Sequence, residues 1–143
     1  VTPENERADS IKTTSPNIIS DEQRKSIQAR LEEIMENTDE VFDCNFSISR
    51  LSELVGTNLH YLSQIINETY GKNFRAFINE YRIKEAQRRL MNTEKYSNYT
   101  IKAIAESVGY KSHSSFITLF RNATGITPSL YQQLANQQKN KEQ

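Results

Sequence analysis

Few residues in this chain could do covalent or metal chemistry. Its 143 residues include one cysteine, Cys44, and two histidines, His60 and His113. One sulfur can form no internal disulfide and no thiolate zinc site. The two histidines have too few partners for a zinc site, because each belongs to a different segment. No carboxylate stands in a motif relation to either, so no catalytic constellation takes shape. Catalysis, a metal and a cofactor are therefore not expected. Cys44 is expected to be a partly buried small side chain following a helix.

The chemistry that does suggest itself is hydrogen bonding from a surface. Once the apolar anchors are set aside, His60, Tyr61, Ser63, Gln64 and Asn67 remain in one segment. His113, Ser114, Ile117, Thr118 and Arg121 remain in another. The two histidines are expected to hold equivalent places near the start of each segment. Gln64 suits bidentate pairing with adenine, and Ile117 or the Thr118 methyl suits a thymine methyl. Asn67 and Arg121, a turn later, suit phosphate. Ser112 stands where a helix N-terminus would present amides to phosphate.

The elements that must carry these residues read as helices. "SDEQ" at 20–23 is a capping box. Ile27, Leu31, Ile34 and Met35 then mark one face of a helix ending near Asn37. "DEVFDCNF" (39–46) is an acidic connection with two aromatics. Ser47 caps a helix to Val55, with Ile48, Leu51, Leu54 and Val55 inward and Gly56 as its stop. Asn58 caps the next to Tyr70, with Leu62, Ile65 and Ile66 inward and Gly71 as its stop. A longer helix follows over about 75–91, with Phe74, Phe77, Ile78 and Tyr81 on one stripe. Its cations Arg75, Arg82, Lys84, Arg88 and Arg89 are candidates for tracking a phosphate backbone, Arg82 and Arg89 foremost. "NTEKYSNY" breaks that helix. Thr100 caps one with Ile101, Ile104, Ala105 and Val108 inward, stopped by Gly109, which is expected at positive φ. Ser112 caps one with Phe116, Leu119 and Phe120 inward, stopped by Gly125. Thr127-Pro128 opens a last helix with Leu130, Tyr131 and Leu134.

The expected division is a disordered linker at 1–19, then an N-terminal helix and acidic connection at 20–46. A first helix-turn-helix follows at 47–73 and a linker helix at 74–92. A second helix-turn-helix with its C-terminal helix spans 93–135, and a polar tail 136–143. The expected fold class is all-α, with two helix-turn-helix subdomains joined by a linker helix and an extra N-terminal helix. That extra helix is expected to pack on the first subdomain and extend its core; the alternatives are pairing with a second copy of itself or with an upstream domain.

The two subdomains are copies. "ISRLSELVG" (48–56) aligns with "IKAIAESVG" (101–109) at an offset of 53. After the glycine the offset becomes 54, pairing Leu62, Ile65, Ile66 and Gly71 with Phe116, Leu119, Phe120 and Gly125. A single shift in a turn, with apolar register kept on both sides, is the mark of a duplicated unit. Helix, glycine turn, helix is also the pattern whose second helix can lie in the DNA major groove.

These residues carry a family resemblance. "IKAIAESVGYKSHSSFITLFRNATGITPSLY" (101–131) resembles the signature of AraC/XylS-type transcription regulators. "YRIKEAQRRL" (81–90) resembles that family's linker helix, and the stretch from Leu51 to Ile83 its first helix-turn-helix. The resemblance covers about residues 47–134. It implies a seven-helix domain whose two helix-turn-helix units enter successive major grooves of double-stranded DNA. It further implies base contacts from His60, Ser63 and Gln64, and from His113, Ile117 and Thr118. Two departures stand out: Gln132, where the family often has Arg, and a first recognition helix that is only weakly basic. "YLSQIIN" and "FINEYRI" resemble the subtype found at the C-terminus of larger sensor proteins, including membrane-linked and hybrid two-component ones. Implied partners are an upstream sensor domain, RNA polymerase and a second copy on DNA, with the DNA-binding part in the cytoplasm.

Charge fits that reading. The net charge is zero, but residues 1–46 carry five Lys/Arg against eleven Asp/Glu, and residues 47–135 eleven against six. A basic half behind an acidic leader suits a nucleic-acid-facing module. A linker helix of about 17 residues would span roughly 25 Å, against about 34 Å between successive grooves. The rival class is a helical protein-interaction module without sequence-specific DNA binding. Salt dependence separates the two.

Overall fold

The computed structural model describes residues 19–142. The linker expected over 1–19 lies outside them except for Ile19, which is buried. The described residues form helices α1 (Asp21–Asn37), α2 (Ile48–Val55), α3 (Leu59–Tyr70), α4 (Phe74–Met91), α5 (Thr93–Tyr96), α6 (Ile101–Ser107), α7 (His113–Thr124) and α8 (Pro128–Glu142), with a 3-10 turn at Glu40–Phe42. Among them there is no strand. The chain divides into two compact units: residues 19–37 with Ser47–Phe74, and residues 38–46 with 75–142.

The first unit holds α1, α2 and α3, each in contact with the other two. The capping box forms at the start of α1: the Gln23 amide donates to Ser20 Oγ at 3.1 Å, and the Ser20 amide to Gln23 Oε1 at 3.2 Å. Ile27, Leu31 and Met35 of α1, Leu51 and Val55 of α2, and Leu62, Ile65 and Ile66 of α3 are buried. Burial of such side chains is the main stabilising term, about 1.5–3 kcal/mol for each. Arg30 Nε donates to the Val55 carbonyl at 2.7 Å, and Tyr70 Oη to Glu32 at 2.8 Å. α1 thus extends the core of the first helix-turn-helix, as its stripe predicts.

The second unit is built around Ile83, Ala86 and Leu90 of α4, Ile104 and Ala105 of α6, Val108, Tyr110, and Phe116 and Phe120 of α7. Phe116 and Phe120 lie 5.7 Å apart, and Phe120 meets Tyr131 of α8 edge-on at 5.3 Å.

Three local expectations change. "NTEKYSNY" contains a one-turn helix, capped by Asn92 and burying Thr93 and Tyr96. The expected polar tail at 136–143 is instead helical as far as Glu142. Ala135, Gln137, Gln138 and Lys139 are good helix formers and no Gly or Pro stops them. In that helix Ala135 is buried and Tyr131 half-buried against the core, so Leu130 and Leu134 turn outward, 40 and 48 % exposed. Cys44 is exposed rather than partly buried. It sits mid-turn, where Asp43 Oδ1 accepts from the Asn45 amide at 2.8 Å and the Asp43 carbonyl from Phe46.

Candidate nucleic-acid interface

Each helix pair is set by the same local chemistry. Ser47 Oγ accepts from the Arg50 amide and Asn58 Oδ1 from that of Tyr61. Thr100 Oγ1 accepts from Ala103 and Ser112 Oγ from Ser115. All four bonds run from the N-cap to the third helical residue, satisfying an amide with no partner in its own helix. Gly56 and Gly109 end the first helix of each pair at φ +82° and +108°. The extra residue of the second turn accommodates Tyr110. Its ring is buried and its hydroxyl donates to Asn79 Oδ1 at 2.8 Å. Burial pushes its phenol pKa up to about 12, with Arg82 pulling the other way.

The core-facing residues of α3 leave one outward stripe. His60, Ser63, Gln64, Asn67 and Glu68 line a shallow open depression along it. They stand at i, i+3, i+4, i+7 and i+8, one helical face. His60, Ser63 and Asn67 are exposed and Gln64 half-buried. On α7, Ser114, Ile117, Thr118 and Arg121 have the same spacing. Ser114, Thr118 and Arg121 are exposed and Ile117 half-buried. Within each unit, then, most of the expected readers share one face, Tyr61 and His113 excepted.

Four expectations shift. His60 and His113 are not equivalent: His113 is the first residue of α7 and His60 the second of α3. The cap alignment pairs His60 with Ser114 and leaves exposed His113 beside the stripe. Tyr61 turns off the stripe into a cleft it shares with Gln23, Ser26 and Arg30 of α1. Arg82 is not available to phosphate, because it donates to the Val41 carbonyl at 2.7 Å and to that of Asp43 at 2.8 Å. Its guanidinium also lies over the Tyr110 ring at 5.6 Å, and burial pulls its pKa down. Arg89, 17 % exposed, pairs with Glu85, donates to the Ser107 carbonyl at 3.1 Å and covers Phe42. Burial favours the neutral form of Glu85, but hydrogen bonds from Arg88 and Arg89 outweigh it and hold its carboxyl low. Arg75, Lys84 and Arg88 are the exposed cations of α4. Ser112 is exposed, its hydroxyl engaged as a cap.

Sequence reasoning also passed over Glu68. Its i+4 spacing from Gln64 was the available signal. Gln64 Nε2 donates to Glu68 Oε2 at 3.3 Å, and Arg24 of α1 forms an ion pair with the same carboxylate. Among the described residues no cluster of His, Cys, Asp or Glu could hold a metal ion. No described helix is long and apolar enough to cross a membrane.

A family model for a helix-turn-helix domain matches residues 51–134, more than half the chain. The chain belongs to the AraC-type helix-turn-helix family. It is a DNA-binding domain of a transcription regulator. An uncharacterized HTH-type transcriptional regulator of Bacillus subtilis, YtdP, is 29 % identical over 121 residues, 85 % of this chain and 15 % of that protein. The chain therefore spans a small part of the curated relative it matches. The C-terminal domain of the two-component response regulator YesN from Fusobacterium nucleatum is 29 % identical. Its TM-score is 0.58, over 78 % of this chain and 98 % of that one. The DNA-binding domain of AdpA, solved with a target DNA, shares the fold at TM-score 0.64 and 19 % identity, over 78 % of this chain and 96 % of its own.

Proposed function

We propose that the two stripes read base edges in the major groove of double-stranded DNA. His60, Ser63 and Gln64 act in the first unit, and Ser114, Ile117 and Thr118 in the second, with His113 flanking. Asn67, Arg121 and the helix end at Ser112 contact phosphate. One observation carries this reading: the same stripe recurs on two helices, each fixed by the same cap and the same buried face. A set of polar side chains held by a rigid core is what base readout requires. The proposed action is binding alone, with no reaction at the site. It takes place where the DNA is, in the cytoplasm.

In the intact protein we propose an upstream region that receives a signal. The small share of the B. subtilis relative covered here supports it, as does the two-component response regulator among the similar structures. Contacts with RNA polymerase and pairing of two copies on DNA belong to the same proposal.

Selection of bound sequences from a random duplex library tests the reading. A defined motif should emerge, and affinity should fall steeply with salt as counterions are released. Gln64→Ala and Thr118→Ala should each cost roughly 1–3 kcal/mol on that motif and relax one position of it. No enriched motif, together with affinity indifferent to salt, would return the domain to the class of protein-binding modules.

A further inference from the structure

The reading stripe of α3 carries a carboxylate, Glu68, where the α7 stripe has Asn122 at the matching offset of 54. A carboxylate facing the phosphates repels them, and the repulsion grows as water leaves the interface. Glu68 has a counter-charge within its own unit. Arg24 reaches across from α1 and pairs with it, the two side chains being 28 and 49 % exposed. Hydrogen bonds from Arg24 first, then Gln64, hold the Glu68 carboxyl below the usual carboxylate range. Glu68 therefore stays ionised, and an ionised carboxylate only accepts hydrogen bonds. Gln64 must then present its NH2 to Glu68, as it does at 3.3 Å. That determines which way round the Gln64 amide sits. In that orientation Gln64 Oε1 is buried, and the NH2 is the group Gln64 can offer to a base-edge acceptor such as a purine N7.

Arg24 is well anchored for this task. α1 is fastened by its buried Ile27, Leu31 and Met35, by Arg30 on the Val55 carbonyl and by the Tyr70–Glu32 bond. Yet Arg24 lies outside the matched helix-turn-helix region at 51–134.

We propose that Arg24 is a positioning residue for base reading. It neutralises Glu68 and, through Glu68, orients Gln64 on the DNA-facing stripe of α3. The inference rests on the DNA reading above. The N-terminal helix is then part of the reading apparatus as well as a support for the core.

The test uses the full chain and a duplex carrying the sequence that the wild type selects. Its partner is the same duplex changed at the position whose preference Gln64→Ala abolishes. The ratio of the two affinities is measured for wild type, Arg24→Ala, Arg24→Lys, Glu68→Ala and the Arg24→Ala/Glu68→Ala double variant, alongside melting curves. Arg24→Ala should lower the ratio on the order of tenfold, the scale of one base contact, and leave the melting temperature nearly unchanged. Arg24→Lys should restore most of the ratio. Glu68→Ala should raise affinity for both duplexes while lowering their ratio, and adding Arg24→Ala to it should change the ratio no further. An unchanged ratio in Arg24→Ala overturns the proposal. So does an equal loss of the ratio with and without Glu68, which would show Arg24 acting independently of that carboxylate. If the wild type selects no sequence, the DNA reading itself has failed, and this inference with it.

Discussion

Gly109 and Gly56 occupy the same place in the two copies, and the structure gives them different neighbours. Both have positive φ, which costs an L side chain roughly 1–2 kcal/mol. A Cβ on Gly56 would meet nothing within 4 Å. A Cβ on Gly109 would lie 2.8 Å from Arg82 Nε, 2.9 Å from its Cζ and 3.1 Å from the Phe42 carbonyl. Arg82 cannot simply step aside, because both its hydrogen bonds hold it on the turn. Gly56→Ala should thus cost about 1–2 kcal/mol. Gly109→Ala should cost more, by about the 1–3 kcal/mol typical of overpacking. Urea denaturation of the two variants measures the difference, and equal losses would show that Arg82 exerts no steric constraint. Tyr110, the next residue, makes the fold sensitive to alkali. The unfolded phenol ionises near pH 10, whereas burial holds the folded one protonated to about 12. Its contribution is therefore fully present below pH 10 and is lost as pH rises toward 12. Tyr110→Phe should flatten that loss. Denaturation midpoints between pH 9 and 11.5 would show it, and parallel curves for variant and wild type would count against it.

At the scale of elements, what the sequence revealed was local and what it hid was tertiary. Ser47, Asn58, Thr100 and Ser112 announce their helices because a cap acts within three residues. Gly56, Gly71 and Gly125 end theirs for an equally local reason. The outward stripes proposed as readers could be picked out by subtracting apolar residues from the same periodicity. Arg82 and Arg89 could not be assigned this way. On a helix rich in cations nothing local separates an arginine that faces solvent from one that clamps a distant turn. The half-buried places of Tyr61 and Gln64 depend on neighbours just as remote. The Arg24–Glu68 pair likewise joins residues 44 positions apart. The end of α8 was hidden for another reason, since a polar run without a stop residue looks the same whether it coils or continues. The new role of Arg82 has a measurable consequence. It holds the 3-10 turn at Glu40–Phe42 through two charge-assisted bonds to carbonyls, each worth about 1.5–3 kcal/mol. Arg82→Ala should destabilise the protein by about 3 kcal/mol. Arg82→Lys should recover little, because an ammonium lacks the planar fork that reaches both oxygens. Neither variant, while folded, should change how DNA affinity depends on salt. A reduced salt slope would put Arg82 back on the phosphates.

For the whole molecule the question is whether both units engage one duplex. Net charge does not answer it, because the chain sums to zero and its excess of basic residues lies in 47–135. Steering must then come from the stripes and their flanking cations, and it should weaken with salt. Arg121→Ala should reduce the salt slope by about one and weaken all sequences alike. Additivity gives the sharper measurement. Gln64 and Thr118 belong to separate compact units with separate cores. Substitutions that share no partner combine to within about 0.3–0.5 kcal/mol. If both stripes read the same duplex, each alanine should relax a different position of the selected motif. Their combined loss should then equal the sum of the single losses, about 2–6 kcal/mol. If one unit alone docks, one substitution is silent and the double variant matches the other single. Binding titrations of the four proteins on one duplex, at one stated salt concentration, separate these outcomes. The silent position identifies the unit that stays off the DNA.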